Sequence, residues 1–327
     1  ATAIYGSRGA NGVILITTKK GDAGKSSVEY SNSFSISDLP RKIDVLSADE
    51  FVSNRRKYGS TNTIDEFGGN TNWQDEIFRT AIGHKHDLSF SGGSKTGSFF
   101  GSIGYQDQEG IIKRSDMEKY NARLNIYQKA LNDKIIIESG VTVANIKQNT
   151  VPIGETAKTG DLLSWALEAN PTMPVYDTLG NYFQPKDYQQ INPVAMLFLN
   201  DNLVKSTRII GNFSPSVKLY KGLTYKFNLG IDHADATRTQ QQYSSYKASS
   251  GKPSAMYNNA TSNNITIEHT INYDTTIGKN SFNVLGGYSY EKNSYEGTGG
   301  YSNGMSNDGK IQPIYNIGTG LINSRGV

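Results

Sequence analysis

The sequence predicts an all-β fold: a transmembrane antiparallel β-barrel, of which about nine strands lie in this chain. Three observations predict it. Apolar residues recur at every second position, several of these segments run for about ten residues, and long and short connections alternate along the chain. A tilted strand needs ~9–11 residues to cross a bilayer, whereas strands of soluble proteins average ~5–6 residues. A soluble β-sandwich, whose half-buried strands also alternate, is the alternative fold.

The composition excludes several other classes of protein. The 327 residues include 33 Lys and Arg, 30 Asp and Glu and no Cys, so disulfide scaffolds and cysteine-based metal or catalytic sites are excluded. A net charge of +3 is too small to indicate a nucleic-acid-binding protein. The longest aliphatic runs, Val13–Ile16 and Ile135–Ile137, are far shorter than the ~20 apolar residues of a membrane-spanning helix.

Each predicted strand has one apolar and one polar face. The clearest runs from Leu223 to Ile231, where Tyr225, Phe227 and Leu229 complete an apolar row that alternates with polar or small residues. Tyrosines within or at the ends of several strands are typical of the girdles at the two interfaces of a barrel. The other strands are predicted at Ser27–Ser37, His86–Ser94, Gly97–Gln106, Asn121–Ile126, Ile135–Val143, Ile209–Leu219, Ile265–Tyr273 and Phe282–Tyr290.

Every second connection between these strands is long, as in barrels with short turns at one end and long loops at the other. Short turns follow the second, fourth, sixth and eighth strands. Helices are indicated in two of the long connections, by the capping box of Ser47 and Glu50 and by residues Thr159–Ala169, and we expect them to decorate loops rather than build a core. The long connections are predicted at Asp38–Lys85, Asp107–Lys119, Lys147–Lys205 and Ala234–Asn264.

After the ninth strand comes a Gly- and Asn-rich stretch, Glu296–Val327. Closed bacterial barrels use an even number of strands, and an open sheet would leave unpaired backbone groups in lipid. We therefore expect the sequence to be part of a longer protein.

The first 24 residues carry a compact motif of small residues followed by a buried strand. Its landmarks are Tyr5, Gly6, Arg8, Asn11 and Gly12. The segment resembles the end of the plug domain in TonB-dependent outer-membrane transporters, in the version found in the SusC/RagA family. The resemblance continues in order along the chain at Asn72–Phe78, His86–Gly93, Gly104–Ile112, Tyr120–Asn125, Asn170–Asp177 and Gly222–Asp232.

This resemblance implies a 22-stranded barrel filled by a plug, with residues 1–24 as the end of the plug and 25–327 as the N-terminal part of the barrel. It also implies an outer-membrane location, energy supplied by TonB through a segment absent here, and a SusD-like lipoprotein over the extracellular mouth. The implied function is import of a large nutrient, expected to be an oligosaccharide. The alternatives are a peptide importer of the same family and a non-transporting surface protein that binds glycans or mediates adhesion. A passive porin fits less well, because of the plug motif.

We expect no enzyme, no cofactor and no metal site. The pairs His84 with His86 and Asp107 with Glu109 lack the further ligands or catalytic partners that such chemistry needs, and no nucleotide-binding or nucleophile motif is present. The candidates for contact with the ligand or the lid are aromatic residues in the long connections, because aromatic rings stack on sugars and pack against partner proteins. The alternative is that each anchors its own loop. The candidates are Trp73, Trp165, Tyr176 and Tyr182.

Overall fold

The computed structural model describes residues 24–60, 63, 65–154, 161–185, 190–247, 250–305 and 321–323. They form one antiparallel sheet of ten strands, with short helices in the connections. The strands are β1 (Ser26–Ser37), β2 (Ala81–Gly93), β3 (Gly97–Glu109), β4 (Asp116–Ala130), β5 (Ile135–Asn149), β6 (Asn200–Tyr220), β7 (Leu223–Gln242), β8 (Ser254–Ile277), β9 (Asn280–Asn303) and β10 (Leu321–Asn323). The helices are α1 (Ala48–Lys57), α2 (Trp73–Ile77), α3 (Leu162–Glu168) and α4 (Pro193–Phe198).

The strands pair in sequence order, each with the next, from β1 to β10. All connections of four residues or fewer lie at one end of the sheet, and the others lie at the opposite end. The predicted alternation of short and long connections is therefore confirmed. In the short turns Gly222 has φ 79°, and Asn132 and Asp133, which tolerate the left-handed region, have φ 53° and 62°. Leu131, in the same turn, has φ 52°, a conformation that a leucine side chain disfavours.

One face of the sheet carries a continuous apolar surface, which we call the belt. The register places Val28 opposite Phe90, and the row continues across β3 to β8 through Gly101, Leu124, Val141, Gly211, Ile231 and Ile265. These side chains are not buried against another layer: Val28 is 77% exposed and Ile231 44% exposed. In β4 the apolar positions are more exposed than the polar positions between them. Such an inverted pattern is typical of a surface that faces lipid.

The opposite face carries charged and amide side chains that pair across strands. Arg208 on β6 donates to both carboxylate oxygens of Asp232 on β7, at 2.8 and 2.5 Å. Asn228 donates to Glu268 at 3.1 Å. This face therefore has the polar, hydrogen-bonded character of a barrel interior.

The strands extend well beyond the belt at the end with the long connections. β7 runs on to Gln242 and β8 begins at Ser254, so the predicted connection Ala234–Asn264 is wrong over most of its length. β6 likewise begins at Asn200, and β9 continues to Asn303 within the Gly- and Asn-rich stretch. Polar residues occupy both faces in these extensions, so no alternation marks them as strand. The connection after β3 is also shorter than predicted and covers only 110–115.

Helix α1 begins at the predicted capping box. The Ser47 backbone N–H donates to Glu50 Oε2 at 2.9 Å, and the Glu50 N–H donates to Ser47 Oγ at 3.4 Å. The hydrogen bond from the Ser47 backbone lowers the pKa of the Glu50 carboxyl. In the part of the chain that the structure describes, no helix is both long and apolar enough to cross a membrane.

The expectation that helices only decorate the loops is wrong for α3, which lies within the predicted Thr159–Ala169; helices α2 and α4, which the sequence analysis did not indicate, pack with it. These three helices contact one another and form a hydrophobic core at the end of the sheet with the long connections. They are amphipathic only over one or two turns, and they bury their apolar sides against one another. The most buried side chains of this core are Ile77, Leu162, Met173, Ala195, Met196 and Leu197.

Candidate functional site

The long connections join into one structure, which we call the loop cluster: the described residues of 38–80, 150–199 and 243–253. Segments about a hundred residues apart in sequence are tied together by hydrogen bonds. The Trp73 indole N–H donates to the Asn170 carbonyl at 3.1 Å, and the Asn170 side chain donates to the Asp65 carbonyl at 2.6 Å. Thr71 Oγ1 donates to the Met173 carbonyl at 2.6 Å. The first two connections therefore form one packed unit rather than two separate loops.

Arg114 connects the loop cluster to the sheet. It lies between β3 and β4 with φ 64°, and its guanidinium donates to the carbonyls of Leu197 and Phe198 at the end of α4, at 3.1 and 3.2 Å. It also donates to Asp201 Oδ1 at 2.5 Å, and the Tyr243 hydroxyl donates to Asp201 Oδ2 at 2.5 Å. The charge of Asp201, at the start of β6, is therefore balanced.

The two predicted tryptophans are in different environments. Trp73 is 2% exposed and belongs to the core of the loop cluster, so within this chain it anchors two connections and presents no free ring face. Trp165 lies partly exposed against the same core, and its Nε1 is buried with no partner among the described residues. Contact of Trp165 with a ligand or lid stays a prediction.

Tyr176 and Tyr182 form the base of a small hairpin that projects from the loop cluster. The two residues pair across it, and their rings lie 5.3 Å apart. Asp177 fixes the turn by accepting from the backbone N–H of Asn181 at 2.8 Å and of Leu179 at 2.9 Å. The bond from Asn181 holds the pKa of the Asp177 carboxyl below its usual value. Tyr176 is 52% exposed, so its predicted contact with a ligand or lid is open to test.

A cavity of about 270 Å³ lies between the loop cluster and the upper ends of β6 to β9. Its floor is buried and includes Met196 and Tyr246; burial raises the pKa of the Tyr246 hydroxyl to about 12, so this group stays protonated. Sequence analysis missed this site, because it assigned most of these strand ends to connections. The consecutive glutamines at 240–242 were the available signal. We call it the amide cavity, after the side chains that line it with Tyr301: Asn200, Asn202, Gln240, Gln241 and Gln242.

The predicted plug signature falls outside the described residues. This applies to Tyr5, Gly6, Arg8, Asn11 and Gly12, and their assignment stays a prediction.

Comparison with known proteins gives the family. The chain is 32% identical over 304 residues to TonB-dependent receptor P3 of Formosa agariphila, which covers 91% of this chain and 30% of that protein. It is 34% identical over 267 residues to TonB-dependent receptor SusC of Bacteroides thetaiotaomicron, which covers 73% of this chain and 26% of that protein. The chain belongs to the SusC/RagA family of TonB-dependent receptors. No family model matches it.

Solved structures of the same family share the fold. The chain superposes on the RagAB peptide transporter with a TM-score of 0.82 at 21% identity, covering 99% of this chain and 42% of that one. The RagAB peptide importer in its closed-closed state gives 0.80 at 20% identity. The ten-stranded sheet is therefore part of the wall of a transmembrane β-barrel, as the sequence predicted. The chain spans 26–32% of the length of the curated TonB-dependent receptors named here and of two further ones that it matches.

Proposed function

We propose that the protein imports a large nutrient, an oligosaccharide, across the outer membrane with energy supplied through TonB. The observation that carries the proposal is the match to TonB-dependent receptors along nine-tenths of the chain, at 29–32% identity to three of them. The two faces of the sheet support it, because an apolar belt outside and a polar wall inside are what a membrane-embedded conduit needs.

The domain organisation belongs to this proposal. We assign residues 1–24 to the end of a plug domain and residues 25–327 to the barrel and its extracellular loops. The plug blocks the lumen until TonB acts on it. A SusD-like lipoprotein is the proposed lid, and the loop cluster, at the end of the wall with the long connections, is the surface nearest to it.

A peptide importer is the second candidate, since the fold that this chain shares with the RagAB peptide transporter is compatible with peptide cargo. The likeness at 21% identity supports the common fold and carries no information on cargo. A surface protein that binds glycans without transporting them is the remaining alternative.

Uptake measurements in cells separate these functions. A strain lacking the gene is complemented with the complete gene and supplied with fluorescent neutral oligosaccharides or fluorescent peptides, with and without a protonophore. A TonB-coupled importer accumulates its cargo inside the outer membrane, and the protonophore abolishes accumulation. Uptake that survives the protonophore would indicate a passive porin, and surface binding without uptake would indicate an adhesion protein. If the cells accumulated only peptides, the cargo would be a peptide and not an oligosaccharide.

A further inference from the structure

Part of the amide cavity's lining lies on the lumen side of the barrel wall, while the lining residues Asp201, Gln241 and Ala255 occupy the alternate positions. Asn202, Gln240, Met256 and Tyr301 are direct partners in register across β6, β7, β8 and β9, so they form one row on a single face. The belt residues of the same strands occupy the alternate positions, which places this row on the opposite, polar face. A molecule that passes between the loop cluster and the lumen meets this row.

The cavity wall offers hydrogen bonds that the chain itself does not use. Within the part of the chain that the structure describes, the amide groups of Gln240 and Gln242 have no hydrogen-bond partner, and both residues line the cavity. Asn202 Oδ1 accepts from Arg238 Nε at 3.0 Å, which leaves the Asn202 amide N–H₂ to donate. Each free amide presents two donors and one acceptor. The wall therefore fits a ligand that carries both donors and acceptors at short spacing.

The lining carries one charge, and that charge is already paired. Asp201 is the charged lining residue, and it is held by Arg114 and Tyr243. Arg238, whose Nε donates to the lining residue Asn202 at 3.0 Å, lies beside the cavity but does not line it. A charged ligand group that entered would lose water without gaining an unpaired opposite charge from the lining residues, which is costly. Uncharged ligands are therefore favoured over charged ones.

Tyr301 gives the cavity one apolar surface. Tyr301 lines the cavity and is 39% exposed, so it is not fully covered by the chain itself. Aromatic rings pack well against the C–H face of a sugar ring, which is apolar on its faces and polar around its edge. The volume of about 270 Å³ lies at the lower end of ligand pockets (~300–1,000 Å³), a size suited to one or two sugar rings rather than a whole oligosaccharide.

We propose that the amide cavity is a subsite that binds one or two uncharged sugar rings of the imported glycan, and that it selects neutral glycans over uronate-containing ones. The inference rests on the proposed function, since it takes the cargo to be a glycan. It adds a specific location and a charge preference. The amides bind the ring hydroxyls, and Tyr301 packs against the ring face.

Calorimetry on the complete protein, purified in detergent, tests the proposal. The probes are neutral hexasaccharides (cello-, laminari-, malto-, manno- and xylohexaose), a galacturonate hexamer and a mixture of uncharged decapeptides. We expect at least one neutral hexasaccharide to bind, and Gln240→Met and Tyr301→Ala each to weaken it about fivefold to tenfold, the effect of losing one or two contacts. Gln106→Met, the same change on the polar face of β3 and outside the cavity, should leave the affinity within about twofold.

The outcomes separate the subsite from the transport function. Unchanged affinity in both cavity variants, with wild-type binding intact, would overturn the subsite and leave oligosaccharide import standing. Tighter binding of the galacturonate hexamer, or binding of the decapeptides with the same dependence on Gln240, would overturn the preference for neutral sugars. If no neutral hexasaccharide bound, the preference for neutral sugars would also be overturned. The uptake assay would then decide whether the protein imports oligosaccharides.

Discussion

Arginine placed at two neighbouring positions of β7 tests which face of the wall meets lipid. The belt residues of β7 run from Leu223 to Ile231, so Phe227 is four residues from either end. At ~3.3 Å per residue this is about 13 Å along the strand, or about 10 Å of depth for a strand tilted by ~40°. An arginine near the middle of the bilayer costs ~2–4 kcal/mol. Phe227→Arg also removes a ring contact with His269, whose centroid lies 5.3 Å away.

Asn228→Arg is the matched control one residue further on. Asn228 is on the polar face and donates to Glu268 at 3.1 Å, so an arginine there meets a carboxylate in water. We expect it to change the free energy of unfolding by less than ~1 kcal/mol, the usual range for an exposed ion pair. The assays are heat-modifiable migration on gels and urea unfolding of the complete protein in phospholipid vesicles. If Asn228→Arg were the more damaging of the two, the assignment of the faces would be reversed.

Three further predictions concern the turns and the loop cluster. Gly222→Ala should lower the free energy of unfolding by at least ~1–3 kcal/mol, because φ is +79° and a Cβ would overlap the Asp274 carbonyl. Gly278→Ala, where φ is +62° and the space around the residue is open, should lower it by only ~1 kcal/mol. Equal losses of stability for the two variants in urea unfolding would contradict this reasoning. Trp73→Ala should destabilise the loop cluster by ~3–5 kcal/mol and speed its cleavage in limited proteolysis, without affecting heat-modifiable migration of the barrel. Tyr176→Ala is the comparison variant, and if Trp73→Ala were cleaved no faster than Tyr176→Ala, Trp73 would not be a core residue. Because the pKa of Asp177 is lowered, its stabilisation of the hairpin is complete above the ordinary carboxyl pKa and is lost as the pH falls through the lowered value. Protection of the Asn181 amide from hydrogen exchange should show this pH dependence. Asp177→Asn, which keeps an acceptor oxygen, should abolish it.

The sequence predicts the belt well because the bilayer imposes a simple rule there. Lipid outside and water inside force apolar and polar residues to alternate, as from Leu223 to Ile231, and the structure has a strand wherever this pattern occurs. Above the belt both faces are polar. Thr237 and Gln240 are as firmly part of β7 as Phe227, held by the same ladder of backbone hydrogen bonds, but their side chains carry no periodic signal. The strand ends, and with them the amide cavity, were therefore missed.

The loop cluster was missed for a different reason. Helices α2 and α4 have only five and six residues, too short for an amphipathic period to stand out, and for α3 the sequence indicated the helix but not its packing. Their apolar sides are buried against partners that are distant in sequence, and a single sequence does not reveal which segments meet. The capping box at Ser47 was predictable because both of its partners lie within four residues.

The pairing of distant segments in the loop cluster has a consequence for the order of assembly. Trp73 and Asn170 are 97 residues apart, and β2, β3, β4 and β5 lie between them in the chain. Closing a disordered loop of that length is slow compared with pairing neighbouring strands, since contacts between distant residues form late. We expect the four strands to pair first and so bring the ends of the two connections together. A packed loop cluster would then indicate that β2 to β5 have already paired. The fraction of molecules that a protease cleaves in the unpacked connections would measure how many have not yet assembled.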